Sequence, residues 1–461
     1  MTCCVLYLFF SVHLISPVTP VDPTGIKVRI TNAALDAVKN VALTYLKDLV
    51  NKPLPDFELP CGQPCSVKGL IVNSLEWKTI DLHFEENSGL LFEIRDLQFT
   101  GKLQNSLSLW FIQHFVDGEV KFEGTNVNAI TEVKLASTQQ GRLEVDIAKC
   151  EIKADLSVEA PGRILGVVWD SVRELLNDFL EDELCFVLKA TAMPLINIML
   201  EDHSMKMQQL LNSPILNIFI DIDYSLSGDM TVTSNSLDVP FSGFMFLQGD
   251  NVEISLIEGY SNSHMDETDM MVYFGISEFF FNSIGMLLYR SGPILLDVPR
   301  IETFGANLIL KSLGLPQGPV TVTLIKAPLV TISPNGLSAN ALAIAQSHQA
   351  GTAPVAVSCS IVLKLDLKEN SLHLLSTVAN CKVRPQKSML ENVFLFPLSS
   401  LVQHEASQMI INTLDNFFDT EPLIPVPEGV ELTDIKYFDG FVVVGGNLNF
   451  PQAVKGRDKS R

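Results

Sequence analysis

Long segments in which apolar and polar residues alternate are the feature that most constrains the fold of this chain. Four of them lie within the first 160 residues, at 72–84, 90–103, 120–135 and 143–158. Alternation with a period of two indicates a β-strand with one buried face. In the fourth segment Leu143, Val145 and Ile147 share a face, and the phase then slips so that Cys150 continues it. Such a slip predicts a β-bulge, which bends and twists a sheet.

Amphipathic helices accompany the strands, and the order of elements recurs in the second half of the chain. Residues 32–52 carry apolar side chains every three or four positions, and a long helical pattern runs from Pro161 towards Cys185. The second half shows helix, strands and helix at residues 276–289, 320–325, 338–345, 355–367, 372–378 and 392–418. Two copies of one architecture are therefore predicted. Residues 214–269, which contain further alternating strands and an acidic cluster at 265–269, join them.

Composition and charge exclude several classes of protein. The 461 residues are 47% hydrophobic and 18% charged, with a mean hydropathy of +0.26, which is too apolar for a disordered chain. This excess predicts an internal cavity or an oligomer surface. The 53 acidic and 32 basic residues give a net charge of -21, so nucleic acid is not an expected partner. After residue 20 no apolar run reaches the length of about 18 residues that a membrane helix needs.

The first residues predict secretion. Residues 5–15 read VLYLFFSVHLI and are followed by Ser16 and Pro17, a pattern typical of a signal peptide over residues 1–20. A buried strand is the alternative interpretation. Removal of the peptide would leave six cysteines, an even number that suits disulfide bonds in an extracellular protein.

Three cysteine pairs can be considered. Cys150 lies on the apolar face of its strand and Cys185 on the helix that follows; a bridge closing about 35 residues would stabilise by roughly 3 to 4 kcal/mol. A two-residue turn at 368–371 would place Cys359 opposite Asn380, so a bridge from Cys359 to Cys381 needs a bulge or a longer turn. Cys61 and Cys65 would close a tight local loop. Zinc is the alternative for that pair, but no nearby residue completes a set of four ligands.

No motif for catalysis or for cofactor binding is present. The sequence has no phosphate-binding glycine loop, no His-Glu-x-x-His and no Gly-x-Ser-x-Gly. Asp221, Asp223 and Asp229 resemble a calcium loop only loosely, because Val232 occupies the position of the bidentate glutamate. Aspartates on the exposed face of a strand explain them better. No catalytic residue, metal site or cofactor is predicted, so the chain is not expected to be an enzyme.

Four passages resemble the family of bactericidal permeability-increasing protein, lipopolysaccharide-binding protein and phospholipid transfer protein. They are PTGIKVRITNAALDAV at 23–38, the pair Cys150 and Cys185, MVYFGISEFFFNSIGMLLYRSG at 271–292, and the ending at 422–450. The third is the most specific. The resemblance extends from about residue 23 to residue 450.

This resemblance implies an α+β fold: an elongated two-barrel boomerang, each barrel a twisted antiparallel sheet wrapped on a long helix, joined by a central sheet. It also implies apolar pockets for the acyl chains of a phospholipid-like lipid, the expected ligand. The division that follows is 1–20 signal peptide, 21–213 N-terminal lipid-binding barrel, 214–269 linker and central-sheet strands, 270–421 C-terminal lipid-binding barrel, 422–450 closing central-sheet strands and 451–461 basic tail.

One departure from the family concerns the tip of the first barrel, which is basic in bactericidal members. Here the loop at 51–69 has two lysines against two acidic residues, and the hairpin at 101–118 has an apolar centre. The residues of that centre are Leu107, Leu109, Trp110, Phe111 and Ile112. We hypothesise that they insert into a lipid surface; the alternative is an ordinary buried strand end.

The sequence therefore predicts a secreted, non-enzymatic lipid-binding or lipid-transfer protein. One alternative keeps the fold and makes recognition of lipopolysaccharide in innate immunity the main function. Another is a structural or matrix scaffold protein, whose pockets would be empty or too narrow for lipid. A hydrolase would need a nucleophile beside a histidine in a cleft.

Overall fold

A computed structural model describes most of the chain outside its termini. The described residues are 23–53, 57–60, 64–86, 88–108, 120–138, 143–159, 185, 189, 211–213, 218–247, 254–259, 262–298, 311, 315–368, 371–385, 404, 407, 408, 411 and 429–449. The predicted signal peptide at 1–20 and the tail at 451–461 lie outside them.

Antiparallel strands make up most of the described structure. In the first half they are β1 (Ile26–Thr31), β2 (Phe57–Pro60), β3 (Pro64–Glu76), β4 (Thr79–Glu85), β5 (Gly89–Ser108), β6 (Val120–Ser137), β7 (Leu143–Glu159), β8 (Leu211–Ser213), β9 (Ile218–Asp223), β10 (Thr231–Val232), β11 (Ser236–Phe241) and β12 (Phe244–Leu247). In the second half they are β13 (Val272–Ser277), β14 (Ile294–Val298), β15 (Gly318–Leu324), β16 (Leu329–Ser333), β17 (Gly336–Ser347), β18 (Val355–Lys368), β19 (Ser371–Pro385), β20 (Val430–Phe438) and β21 (Phe441–Leu448). The helices are α1 (Asn32–Leu49), α2 (Glu278–Arg290) and a 3₁₀ turn at Ile254–Leu256.

The strands of the first half confirm the alternating pattern, with one correction. The segment 72–84, predicted as a single strand, is two strands, because β3 ends before Trp77 and β4 begins after Lys78. Both pair with β5, β4 along its first residues and β3 along its last. Together, β3 and β4 therefore pair with one side of the long strand β5.

The predicted bulge in β7 is confirmed. Glu132 of β6 pairs with Lys149, whereas the next residue, Val133, pairs with Ile147, so Ala148 is the extra residue. The phase slip in the sequence therefore marks a real irregularity in the sheet.

Two predictions for the second half need correction. The helix expected at 276–289 begins at Glu278, because Ile276 and Ser277 still pair with β1 and β21 as the end of β13. The short strands β14 and β16 were not predicted. The long helices expected at 161–185 and 392–418 lie mostly outside the described residues, but the described positions within them, residues 185, 404, 407, 408 and 411, are helical.

One sheet combines strands from the beginning, the middle and the end of the chain. Its order is β10-β11-β1-β13-β21-β20. Within it Arg29 of β1 lies directly opposite Asp238 of β11. The guanidinium donates through Nε at 2.7 Å and through Nη2 at 2.8 Å to the two carboxylate oxygens, and both side chains are largely buried. This bidentate ion pair fixes the register of β1.

The polar face of β1 also holds the acidic cluster predicted at 265–269. Lys27 Nζ donates to Asn262 Oδ1 and to the Ser263 carbonyl, each at 2.7 Å, and Thr31 Oγ1 donates to the Met270 carbonyl at 2.7 Å. Burial lowers the pKa of the Lys27 ammonium. Hydrogen bonds on both sides of the acidic cluster therefore hold this segment against β1.

Breaking the Arg29–Asp238 pair is expected to destabilise the protein strongly. Asp238→Asn leaves the buried guanidinium without its counter-charge, which costs about 3 kcal/mol of the free energy of unfolding. Glu151→Gln is the control, because it breaks the Lys149–Glu151 pair, whose side chains are 42% and 54% exposed, at a cost below about 1 kcal/mol. Denaturant unfolding measures both, and equal losses would contradict the assignment.

Candidate functional site

An apolar cavity lies between α2 and the sheet formed by β14, β15, β17, β18 and β19. Its volume is about 230 Å³, and its wall contains only apolar side chains and one glycine. The wall consists of Phe281, Ile284, Gly285, Leu288, Ile294, Leu296, Leu315, Val320, Val322, Leu324, Pro328, Val330, Ala339, Ala341, Ala343, Ala345, Val357, Cys359, Ile361, Leu363, Leu374 and Val383. Most of them lie on five neighbouring strands, β14, β15, β17, β18 and β19, which form the floor of the cavity.

Four alanines explain why this space is not filled. They occupy alternate positions of the middle strand, β17, and therefore share the face that points towards α2: Ala339, Ala341, Ala343 and Ala345. The strands on either side carry larger residues, since Ala343 lies opposite Leu324 of β15 and Val357 of β18. Because a side chain that ends at Cβ cannot reach α2, a gap remains beneath the helix.

Helix α2 is held in place by polar contacts between its side chains and the backbone of neighbouring strands. The buried Asn282 amide accepts from the Val330 N–H at 2.7 Å and donates to the Val330 carbonyl at 3.2 Å. Glu278 accepts from the Ile332 N–H at 2.7 Å, and Ser283 accepts from the Met245 N–H at 3.1 Å. These bonds fix the helix to β16 and β12, so the gap above the alanines does not close by collapse.

The apolar wall of the cavity favours a hydrocarbon ligand over a polar one. Among the described lining residues there is no charged side chain, amide or hydroxyl. A polar group placed there would lose its hydrogen bonds to water without replacement. An apolar cavity of about 150 Å³ is large enough for benzene, so this one has room for a longer stretch of alkyl chain. Its contents would be bound by burial of methylene groups.

The Cys359–Cys381 bridge, one of the pairings considered from the sequence, contributes Cys359 to this wall. The two residues lie directly opposite each other in β18 and β19, and both are buried. The turn pairs Lys368 with Ser371, which alone would set Cys359 against Asn380. A bulge at Thr377 restores the register, since Val362 pairs with Val378 but Leu363 pairs with Ser376. The bulge that the sequence required is therefore present.

The first half has its own bridge, between Cys150 of β7 and Cys185, with a sequence separation of 35 residues. It joins the sheet to a helical residue, as predicted. Cys61 lies outside the described residues, as does any pairing with Cys65. A lipid pocket of this half would involve the helix predicted at 161–185, of which only residue 185 is described.

The structure describes only part of the predicted apolar tip. β2 pairs antiparallel with β3 up to Pro60 opposite Pro64, and Ser66 of β3 pairs with Ser108 at the end of β5. The two loops expected to form the tip therefore emerge from the same end of this sheet. Leu107 lies in β5 opposite Val67, whereas Leu109, Trp110, Phe111 and Ile112 lie outside the described residues.

The described part of the chain contains no group of three or more His, Cys, Asp or Glu side chains arranged to hold a metal ion. Within the same residues no helix is long and apolar enough to cross a membrane.

Apart from Cys359, sequence reasoning did not identify the cavity residues. The signal was the alternation of four alanines in SANALAIA, which combines a strand pattern with side chains too short to fill a core.

Comparison with known proteins relates the chain to a family of lipid-associated proteins. Residues 214–303 match the C-terminal domain of the LBP / BPI / CETP family. Phospholipid transfer protein of Mus musculus is 25% identical over 463 residues, covering 94% of this chain and 91% of the relative. Lipopolysaccharide-binding protein of Homo sapiens is 25% identical over 350 residues, 68% of each chain.

A solved structure supports the fold. The crystal structure of lipopolysaccharide binding protein is similar with a TM-score of 0.50 at 18% sequence identity, covering 93% of this chain and 99% of that chain. This similarity confirms the coarse prediction of the family fold, whereas the two barrels and the boomerang shape stay predictions.

Removing the Cys359–Cys381 bridge is expected to destabilise the second half. In the chain-entropy model, opening a loop with a sequence separation of 22 residues costs about 3 kcal/mol, so the double variant Cys359→Ala with Cys381→Ala should unfold at lower denaturant. Ser360→Ala with Asn380→Ala alters the neighbouring exposed pair and should change stability by less than about 0.5 kcal/mol. Peptide mapping of the unreduced parent checks the pairing; a free Cys381 would contradict it.

Proposed function

Since the chain belongs to the LBP/BPI/CETP family, we propose that it is a secreted protein that binds or transfers phospholipid-like lipid. The observation that carries the proposal is the cavity beneath α2, whose described wall is wholly apolar. Each methylene group moved there from water contributes about 0.8 kcal/mol. An acyl chain would therefore bind without any catalytic group, and its polar head would stay outside.

The relatives support the same class of function. They are named for the transfer of phospholipid and the binding of lipopolysaccharide, neither of which is a catalysed covalent reaction. The chain is accordingly not an enzyme. The disulfides Cys150–Cys185 and Cys359–Cys381 suit an oxidising compartment and so support secretion.

We also propose how the two halves of the chain are arranged. We assign residues 21–213 and 270–421 to two lipid-binding barrels, arranged as an elongated boomerang around the six-stranded sheet. Support comes from the position of α1 and α2, each of which follows directly after a strand of that sheet.

Lipopolysaccharide binding is the second candidate, favoured by the similarity to lipopolysaccharide-binding protein. The loop at 51–69 argues against it, because recognition of the phosphates would require local basic side chains and this loop has two lysines against two acidic residues. Binding that weakens steeply with salt would favour this candidate, whereas acyl-chain burial depends only weakly on salt. A scaffold role is disfavoured by the open apolar volume beneath α2.

Filling the cavity is expected to displace the lipid. Ala343→Leu adds three carbon atoms above the middle of the floor and should lower the amount of copurified lipid several-fold, because the acyl chain loses that volume. Thr323→Leu adds an apolar side chain to an exposed position on the adjacent strand and should leave it unchanged. Native mass spectrometry with lipid extraction measures both. A parent protein without lipid, or equal lipid in both variants, would refute the proposal.

If the apolar tip inserts into a lipid surface, the variant Trp110→Ala should bind membranes more weakly than the parent. Withdrawing one large aromatic side chain from the lipid should weaken binding to neutral liposomes by about 2 kcal/mol, equally at low and high salt. Tyr289→Ala, which removes a 42% exposed aromatic residue from the second half, is the control. Liposome flotation measures both, and unchanged binding of Trp110→Ala would favour a buried strand end.

A further inference from the structure

The outer face of the sheet that carries the cavity combines aliphatic and basic side chains. Side chains of β17 and β18 alternate between the cavity and the exterior, so Leu342 and Ile344 point outward beside the inward Ala343. Ile325, just after β15, is 46% exposed, and its N–H donates to the Leu342 carbonyl at 2.8 Å. Three large aliphatic side chains therefore lie together on the exterior.

Basic side chains flank these aliphatic residues. Leu342 lies opposite Ser358, which lies opposite Lys382 of β19. In the adjacent row Ile344 lies opposite Ala356, which lies opposite Arg384. Lys326 follows Ile325, and all three cations are exposed. We call Ile325, Lys326, Leu342, Ile344, Lys382 and Arg384 the outer patch.

The cations of the outer patch are not neutralised within the described structure. None of the three forms an ion pair with another described residue. Two acidic positions share this face of the sheet. Asp297 lies on the far edge strand β14, and Asp366 is eight residues beyond Ser358 on β18, roughly 26 Å away at strand spacing. The patch is thus locally positive in a chain whose net charge is -21.

From this arrangement we propose that the outer patch docks on an anionic phospholipid surface. Aliphatic side chains beside Lys and Arg match the boundary between acyl chains and negatively charged head groups. The Debye length at physiological salt is about 8 Å, so the acidic residues elsewhere are screened and the patch sets the local interaction. The inference rests on the proposed function, because docking would hold the cavity-bearing sheet against a source of lipid.

The test uses the full chain and vesicles of phosphatidylcholine alone or mixed with phosphatidylserine. The parent should bind the mixed vesicles at least about tenfold more tightly at about 0.15 M salt, and this preference should vanish at about 1 M salt. Lys382→Gln with Arg384→Gln should reduce binding to mixed vesicles about 25-fold, since each basic side chain near an anionic surface contributes about a factor of five. Ile325→Ser should weaken binding to both kinds of vesicle.

The control removes the same charge elsewhere. Lys78→Gln with Lys153→Gln neutralises two exposed lysines on the sheet of the first half and should leave the preference for phosphatidylserine within about twofold. A parent without that preference, or an equal loss in both double variants, would overturn the outer patch. Copurified lipid, measured in the same samples, reports on the cavity separately. A lipid-loaded parent that ignores phosphatidylserine refutes only the docking, and a lipid-free parent that prefers it refutes only the cavity ligand.

Discussion

The antiparallel pairing of β1 with both β11 and β13 is the constraint on which the rest of the described structure depends. Through it the beginning of the chain joins its middle, and β13 in turn pairs with β21 near the end. Ile26 of β1 packs in the core around α2, whereas Ile30 of the same strand packs in the core around α1. Because β1 and β13 run in opposite directions and each continues directly into a helix, the two helices leave the sheet at opposite ends.

The difference between a core and a cavity in this fold is one of side-chain length rather than polarity. The floor alanines and the valines beside them are equally apolar, but alanine forgoes the contacts that a longer side chain would make with α2. Unfilled apolar walls lose dispersion contacts, and an alkyl chain can restore them. The buried bonds of Asn282 and Glu278 prevent the helix from collapsing into the gap, so the volume is kept for a ligand.

How far the sequence predicted the structure differs from element to element. The bulge at Ala148 was visible because it moves every later apolar residue to the other phase. The bulge at Thr377 could be required by the spacing of two cysteines but not placed, because the buried residue before it, Ser376, is polar and the exposed residue after it, Val378, is apolar, so the change of phase is hidden in the sequence. The start of α2 was placed too early because Ile276 fits the helical stripe and the strand equally well. The cavity was not predicted, because periodicity shows which face of a strand is apolar but not whether its side chains are long enough to contact the facing helix.

The net charge of the chain does not predict the local charge of its individual surfaces. Lys27 and Arg29 are basic residues that hold a segment of the chain rather than a ligand, and the acidic cluster they tether lies over the same strand. Successive side chains of β17 point to opposite faces of the sheet. The alanines face the cavity, while Leu342 and Ile344 face outward beside Lys382 and Arg384. With screening over about 8 Å, the two faces of that sheet act independently of the total charge. The inner face is suited to the interior of a lipid phase, and the outer face to its surface.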